Sequence, residues 1–383
     1  MFNKEIIAGF QNHKTPFYYY DLTVLDETLK VINDEIAGFN YKVHYAIKAN
    51  TNDRILAKIK EYGLGIDCVS GNEIKWAIKN RFEPGKIAFA GVGKTDEEIE
   101  YALKTGIFTF NVESLPELEV IDTMAGKMGL EAPIAIRFNP NVNAKTHYYI
   151  TTGLEENKFG INHWELSALF ELLAKLTNIK LLGLHFHIGS QILDLSVFKN
   201  LCNRVNDYQR EFSDRGIEIH HINVGGGLGV NYQNPDGEPI PDFKTYFQIF
   251  KKFLNLRPNQ ELHFELGRSV VAQCASLISR VLYIKEGIKT NFTILDAGMT
   301  ELIRPALYQS FHLIQNLSKL NDDPSSKYDV VGPICESSDC FGKAIALPKT
   351  ERGDIIAIRS VGAYGEVMSS SYNLRDKAAV VYR

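Results

Sequence analysis

Eight short apolar runs recur through the first 270 residues of the chain, each followed by turn residues and then a helical pattern. They are Val43–Lys48, Leu64–Val69, Lys86–Ala90, Phe108–Val112, Ile134–Phe138, Leu181–Ile188, Ile219–Val224 and Leu262–Leu266. Amphipathic stretches lie between them, such as Leu166–Leu176 and Thr95–Leu103, the latter opened by a Thr95/Glu98 capping box. Strands alternating with helices imply right-handed crossovers and a parallel sheet. An open doubly wound sheet shares that local pattern, but eight units in roughly 230 residues favour a closed (β/α)8 barrel. After residue 270 the pattern changes. Val270–Glu286, Phe292–Ala297, Tyr328–Pro333, Asp354–Val361 and Ala378–Tyr382 read as strands without crossover helices, which predicts a mainly antiparallel β domain. Thr15–Asp21 is also strand-like and is expected to join it. The predicted class is therefore α/β: a TIM-type barrel over residues 25–270, then a β-sandwich or β-barrel domain over 271–383 that takes in residues 1–24.

Composition narrows the classes. At 383 residues the chain exceeds one ordinary small domain, and 45% hydrophobic with 23% charged residues is usual for a soluble globular protein. A net charge of −4 leaves no electrostatic footprint for nucleic acid or an anionic membrane. Met1–Phe10 has no apolar core of a secretory signal, and no run is long enough for a membrane helix. Five scattered cysteines do not form a disulfide framework. A cytoplasmic protein is expected.

Parity within the strands carries more. Leu184, Phe186 and Ile188 share one face while His185 and His187 share the other; Ile134, Ile136 and Phe138 alternate with Arg137 and Asn139. Ile222 and Val224 alternate with His221 and Asn223, and Leu262, Phe264 and Leu266 with His263 and Glu265. Helices cover the outside of a barrel, so the apolar sets face outward. The axis then holds Lys48, Asp67, Arg137, His185, His187 and Glu265. Burying such a set is costly unless its members satisfy one another or a polar ligand does so. Lys48 ends its strand run directly before a turn, the placement of a Schiff-base amine or of a plain surface lysine. Gly225–Gly229 follows the seventh barrel strand and Gly267-Arg268-Ser269 the eighth, where (β/α)8 enzymes often bind phosphate. Ala88–Thr95 resembles a nucleotide P-loop, but Ala88 stands where the first glycine is needed. It reads as an ordinary loop.

Several segments match one family in its order: Tyr45–Asn50, His187–Gln191, Gly225–Gly227, Glu265–Arg268 and Cys335–Asp339. With them come Asp296–Met299, Leu302–Tyr308 and Glu156–Gly160. From about Thr15 to Asn373 the chain resembles the fold type III (alanine racemase-like) pyridoxal phosphate decarboxylases, and within them the branch acting on diaminopimelate. Two departures, Leu266 where proline is usual and Cys68 where valine is commoner, touch loop stiffness and packing.

The resemblance implies a role for each matching residue. Lys48 would carry pyridoxal 5'-phosphate on its ε-amino group; Gly227, Gly267, Arg268, Ser190 and Tyr364 would hold the phosphate. His187 would pack against the pyridine ring, and Glu265 would keep the ring nitrogen protonated. Cys335 would donate a proton after CO2 leaves; thiols titrate near ~8.5 and are mostly protonated at neutral pH. Cys68, Cys202 and Cys274 read as packing residues, and Cys340 has no role. A substrate charged at both ends needs a cation and an anion beyond the reacting carbon. Arg304 and Arg268 would pair its distal carboxylate, Glu336 its distal ammonium, with Tyr308 and Tyr364 adding hydrogen bonds. A surface salt bridge is the plain alternative for Arg304. No metal is expected.

The implied reaction is decarboxylation of meso-2,6-diaminopimelate to L-lysine. The implied assembly is a homodimer in which the Cys335–Glu336 loop of one chain covers the barrel mouth of the other. The rivals are a decarboxylase of carboxynorspermidine, ornithine or arginine, an amino-acid racemase, and a pyridoxal phosphate-binding protein without turnover.

Overall fold

The computed structural model describes residues 2–142 and 158–383. Contacts divide the chain into two compact units, one of Leu29–Gly229 and Asp242–Gly267, the other of Met1–Thr28, Val230–Pro241 and Arg268–Arg383. Strand β1, Phe17–Tyr20, belongs to the second unit.

The first unit is a closed barrel of eight strands. They are β2 Tyr41–Ala46, β3 Gly65–Cys68, β4 Ile87–Phe89, β5 Thr109–Val112, β6 Ala132–Phe138, β7 Ile179–Phe186, β8 His221–Asn223 and β9 Glu261–Leu266. Neighbours pair in parallel, and β2 closes on β9 with Val43 opposite Phe264 and His44 opposite Glu265. Each of the eight apolar runs overlaps one strand, although β2, β6, β7 and β9 start one or two residues before the run. Lys48 is not in its strand: Ile47–Ala49 form a single helical turn past β2, closed by Asn50 N–H donating to Ile47 O at 3.1 Å.

The outward side chains pack as parity requires. Phe138 lies 4.4 Å from the Tyr208 ring of the helix Ser196–Ser213, and Phe264 lies 4.9 Å from Phe247 and 5.2 Å from Phe250 of the helix Phe243–Phe253. Truncating either phenylalanine to alanine would cost about 3–5 kcal/mol. The helix Asp96–Thr105 starts on Thr95 with both halves of the capping box formed, and ends on Gly106 in the left-handed conformation.

The second unit is a mainly antiparallel sheet built on β10, Ala275–Lys285. It pairs antiparallel with β1, with β11 (Asn291–Leu295) and with β15 (Ile355–Arg359). Beyond these lie β12 (Ile314–Asn316), β13 (Ser326–Val331), β14 (Cys340–Leu347) and β16 (Ala379–Tyr382), where β11–β13 and β1–β16 are parallel pairs. Val270 and Val271, read as the start of a strand, lie instead in a helical turn, Arg268–Val271, before β10. Phe2, Phe10, Phe17, Tyr19, Ile278 and Leu317 form part of the core of this unit. Val230–Pro241, between two barrel strands in sequence, groups with this sheet because Arg359 pairs with Asp236 through both terminal nitrogens, at 2.9 and 2.7 Å.

Candidate active site

At the C-terminal ends of the barrel strands, polar side chains meet in pairs and triads. Lys48 Nζ stands 3.2 Å from Asp67 Oδ2, with the lysine side chain 39% exposed and the aspartate 1%. Burial and the neighbouring Glu265 push the Asp67 carboxyl up to about 7, against the pull of Lys48.

Glu265 is the hub. Its Oε1 accepts from the side-chain amides of Asn111 at 2.9 Å and Asn223 at 2.8 Å, and its Oε2 lies 2.9 Å from His185 Nε2. Burial would raise this carboxyl, but His185, by charge and hydrogen bond, and then Lys48 and His187 hold it well below the usual carboxylate range. Glu265 is therefore a buried carboxylate that stays ionised. Arg137 pairs with Glu113 at 2.6 Å, and Glu113 also accepts from the N–H groups of Gly91 and Gly160, each at 3.0 Å. Burial opposes ionisation of Glu113; Arg137, Lys94 and His185 outweigh it and keep its carboxyl low. Asp67 Oδ1, Asn111 Oδ1 and His185 Nδ1 are buried without a partner among the described residues. Such atoms cost free energy unless something else meets them.

The glycine turn is sterically obligatory. At Gly225 (φ +67°) a Cβ would stand 2.5 Å from Phe186 O, and at Gly226 it would stand 2.0 Å from Glu265 O. Gly226 N–H donates to His187 Nδ1 at 3.2 Å. Desolvation, then the charges of Arg137 and Lys48, hold the His187 imidazole well below its ordinary value, so it is neutral. Ile192 N–H donates to Gly227 O at 2.8 Å, which brings the loop that carries Ser190 onto the same turn. Gly267 backs against Ala46 and Ala49, flanking Lys48; a Cβ there would lie 3.1 Å from Ala49 Cβ. Lys94 of the P-loop-like stretch is consumed structurally, donating to Gly91 O, Asn111 O and Glu117.

In the β unit, Arg268 and Arg304 both donate to Tyr232 Oη, at 2.8 and 2.9 Å, and the Tyr364 ring lies 5.0 Å from the Arg268 guanidinium. Tyr308 ends the short helix that Arg304 begins. Cys335 and Glu336 sit on an exposed loop, where Glu336 accepts from Tyr372 Oη at 2.9 Å. Asp339 anchors that loop by accepting from Ile334 N at 2.7 Å and Met299 N at 2.6 Å. In the Glu156–Gly160 run, Glu156 and Asn157 lie outside the described residues. Sequence reasoning assigned no role to Glu113, Asn111, Tyr232 or His312. Asn111 carries the same parity signal as Glu265, and Glu113 continues it one residue past β5; Tyr232 and His312 show none. Among the described residues no His/Cys/Asp/Glu cluster could hold a metal, and no helix is long and apolar enough to cross a membrane.

A family model for the pyridoxal binding domain of pyridoxal-dependent decarboxylases matches residues 23–272. The chain is 56% identical over 371 residues to the diaminopimelate decarboxylase of Bacteroides thetaiotaomicron, covering 97% of this chain and 96% of that one. The chain belongs to the diaminopimelate decarboxylase family. A Helicobacter pylori diaminopimelate decarboxylase is 42% identical over 98% of the chain. The crystal structure of diaminopimelate decarboxylase from Helicobacter pylori complexed with L-lysine superposes with a TM-score of 0.92, covering all of this chain and 94% of that one. A diaminopimelate decarboxylase-family chain is a pyridoxal phosphate enzyme, and the barrel mouth fits that group. It offers an amine on the turn that follows a barrel strand, an ionised buried carboxylate, a turn where no side chain can intrude, and buried polar atoms without partners among the described residues.

Proposed function

We propose that this chain removes CO2 from meso-2,6-diaminopimelate to yield L-lysine. The observation that carries the substrate is Arg304, 5% exposed, whose hydrogen-bond partners are Tyr232, His312 and Ser310. Among the described residues none of these partners is a carboxylate; burial would raise the Tyr232 hydroxyl, but Arg268 and Arg304 together outweigh it and lower it below its ordinary value. A guanidinium buried without a carboxylate is costly. A substrate with a distal carboxylate supplies the missing charge; ornithine does not.

Bound pyridoxal phosphate supplies the sink for the electron pair of the breaking carbon–carboxylate bond. Lys48 is assigned the covalent hold on it. Glu265, ionised and already steadied by three donors, keeps a proton on the ring nitrogen. His187 packs on the ring as a neutral imidazole. Ser190, Gly227, Gly267, Arg268 and Tyr364 receive the phosphate. Arg304 and Arg268 bind the distal carboxylate, Glu336 the distal ammonium, and Tyr308 and Tyr364 add hydrogen bonds. Cys335 donates the proton that replaces CO2. Its exposure in a single chain, together with that of Glu336, supports a homodimer in which this loop covers the barrel mouth of a second copy.

A substrate panel tests the reading. Purified protein with pyridoxal phosphate should release CO2 and form lysine from diaminopimelate. Robust release from ornithine with none from diaminopimelate would end it. Sedimentation that shows only monomer would remove the dimer.

A further inference from the structure

Arg304 is held in one orientation by groups that the reaction itself does not use. His312 is 1% exposed, and its Nδ1 lies 2.8 Å from Arg359 O. A carbonyl only accepts, so Nδ1 carries the proton and Nε2 presents a lone pair. That lone pair faces Arg304 Nη1 at 3.1 Å. Tyr232 Oη, 2.9 Å from the same nitrogen and 2.8 Å from Arg268 Nη1, ties the two guanidiniums together. The Tyr232 and His312 rings meet edge to face at 5.0 Å.

One residue organises both supports. The carbonyl of Arg359 sets the His312 tautomer, while its guanidinium pairs with Asp236 and so holds the segment that carries Tyr232. We propose that His312 and Tyr232 are the specificity-determining positioning residues of this enzyme, aiming the Arg304 guanidinium at the distal carboxylate of the substrate. Both accept from the guanidinium and neither is a carboxylate, so they orient the cation while leaving it to be met by the substrate carboxylate. Burial, and then Arg304 beside it, hold the His312 imidazole down at about 3, so this support persists throughout the neutral range. The proposal rests on the reading of Arg304 as the carboxylate anchor.

The test uses the holoenzyme and two competitive inhibitors that differ by that carboxylate, L-lysine and 1,5-diaminopentane. Losing one hydrogen bond to a charged group should weaken L-lysine inhibition roughly tenfold or more in His312→Phe and Tyr232→Phe. Inhibition by 1,5-diaminopentane should not move, KM for diaminopimelate should rise far more than kcat falls, and cofactor absorbance should be retained. His312→Gln, whose amide oxygen can accept from Arg304, should recover much of the loss. Equal weakening of both inhibitors, or of neither, overturns the proposal; Tyr232→Phe decides it should His312→Phe fail to fold. Arg304→Ala separates the two levels. Unchanged discrimination between the inhibitors in that variant sinks the anchor reading and the proposal with it. Collapsed discrimination in Arg304→Ala, with His312→Phe and Tyr232→Phe normal, sinks the positioning role alone.

Discussion

The two ends of the barrel are both polar and both buried, yet they are built on opposite terms. At the C-terminal end, acids and bases alternate: Lys48 with Asp67, Glu265 with His185, Arg137 with Glu113. At the N-terminal end the axis is filled by imidazoles and an aromatic ring. His44 and His263 share a hydrogen bond at 2.8 Å, Phe108 stacks on His263 at 5.1 Å, and the His221 ring lies 4.8 Å from His263. His44 reaches Lys86 O at 3.2 Å, and His263 reaches Glu261 at 3.2 Å. Here stacking and local partners absorb the polarity, with His221 Nε2 the exception. At the mouth, Asp67 Oδ1, Asn111 Oδ1 and His185 Nδ1 stay unmet among the described residues. On the function proposed above, the same sequence signal, a polar residue on the axial face of a strand, serves chemistry at one end and stability at the other.

The strongest break in that contrast is Lys48→Ala. It should abolish the visible absorbance of the bound cofactor and lower turnover by more than roughly a thousandfold, as expected when covalent catalysis is lost. A variant that keeps the band refutes the assignment of the mouth. Cys335→Ala follows, because it leaves the mouth untouched: cofactor absorbance should persist while turnover falls roughly 10²–10⁴-fold. Near-normal turnover would remove the thiol from the mechanism. At the floor, His263→Phe keeps the stack but leaves His44 Nε2 without its partner. Stability should drop by about 1–3 kcal/mol in urea unfolding, with kcat unaltered. A fall in kcat without a stability change would reverse the roles given to the two ends.

What could be read in the chain follows from the range of the forces involved. Alternation places Phe138 against helix residues and Arg137 on the axis because side-chain direction is set locally by the pleat. The helix Asp96–Thr105 was legible for the same reason, since Thr95 and Glu98 lie within one turn. Tyr232 was not. Its place depends on Arg359 meeting Asp236 across 123 residues, and no local pattern encodes that pairing. His312 depends likewise on a carbonyl 47 residues away. Lys48 was placed one turn too early, because the Asn50 to Ile47 backbone bond that ends the extended run leaves no mark in composition. Strand β14 was missed because Cys340–Leu347 includes Gly342 and a left-handed Ala344, which break the alternation a strand should show.

The smallest effect concerns acid. Burial, and then the neighbouring His263, lower the His44 imidazole from its ordinary 6.5 to about 3. Between those values the unfolded chain binds a proton on His44 that the folded chain refuses. Unfolding therefore takes up a proton, and stability that is complete above pH 6.5 is lost as pH falls through that window. The slope is about 1.4 kcal/mol per pH unit for each such histidine. His44→Phe should flatten the fall in urea midpoint between roughly pH 6 and pH 5 by one histidine's share, with turnover unaltered. His187→Phe, at the mouth, should flatten it by a similar share, since His187 is also held neutral, but should damage turnover as well. A wild-type slope in His44→Phe would mean that the floor imidazole is protonated in the folded barrel. The floor would then be a second charged site, and the contrast between the two ends would fail.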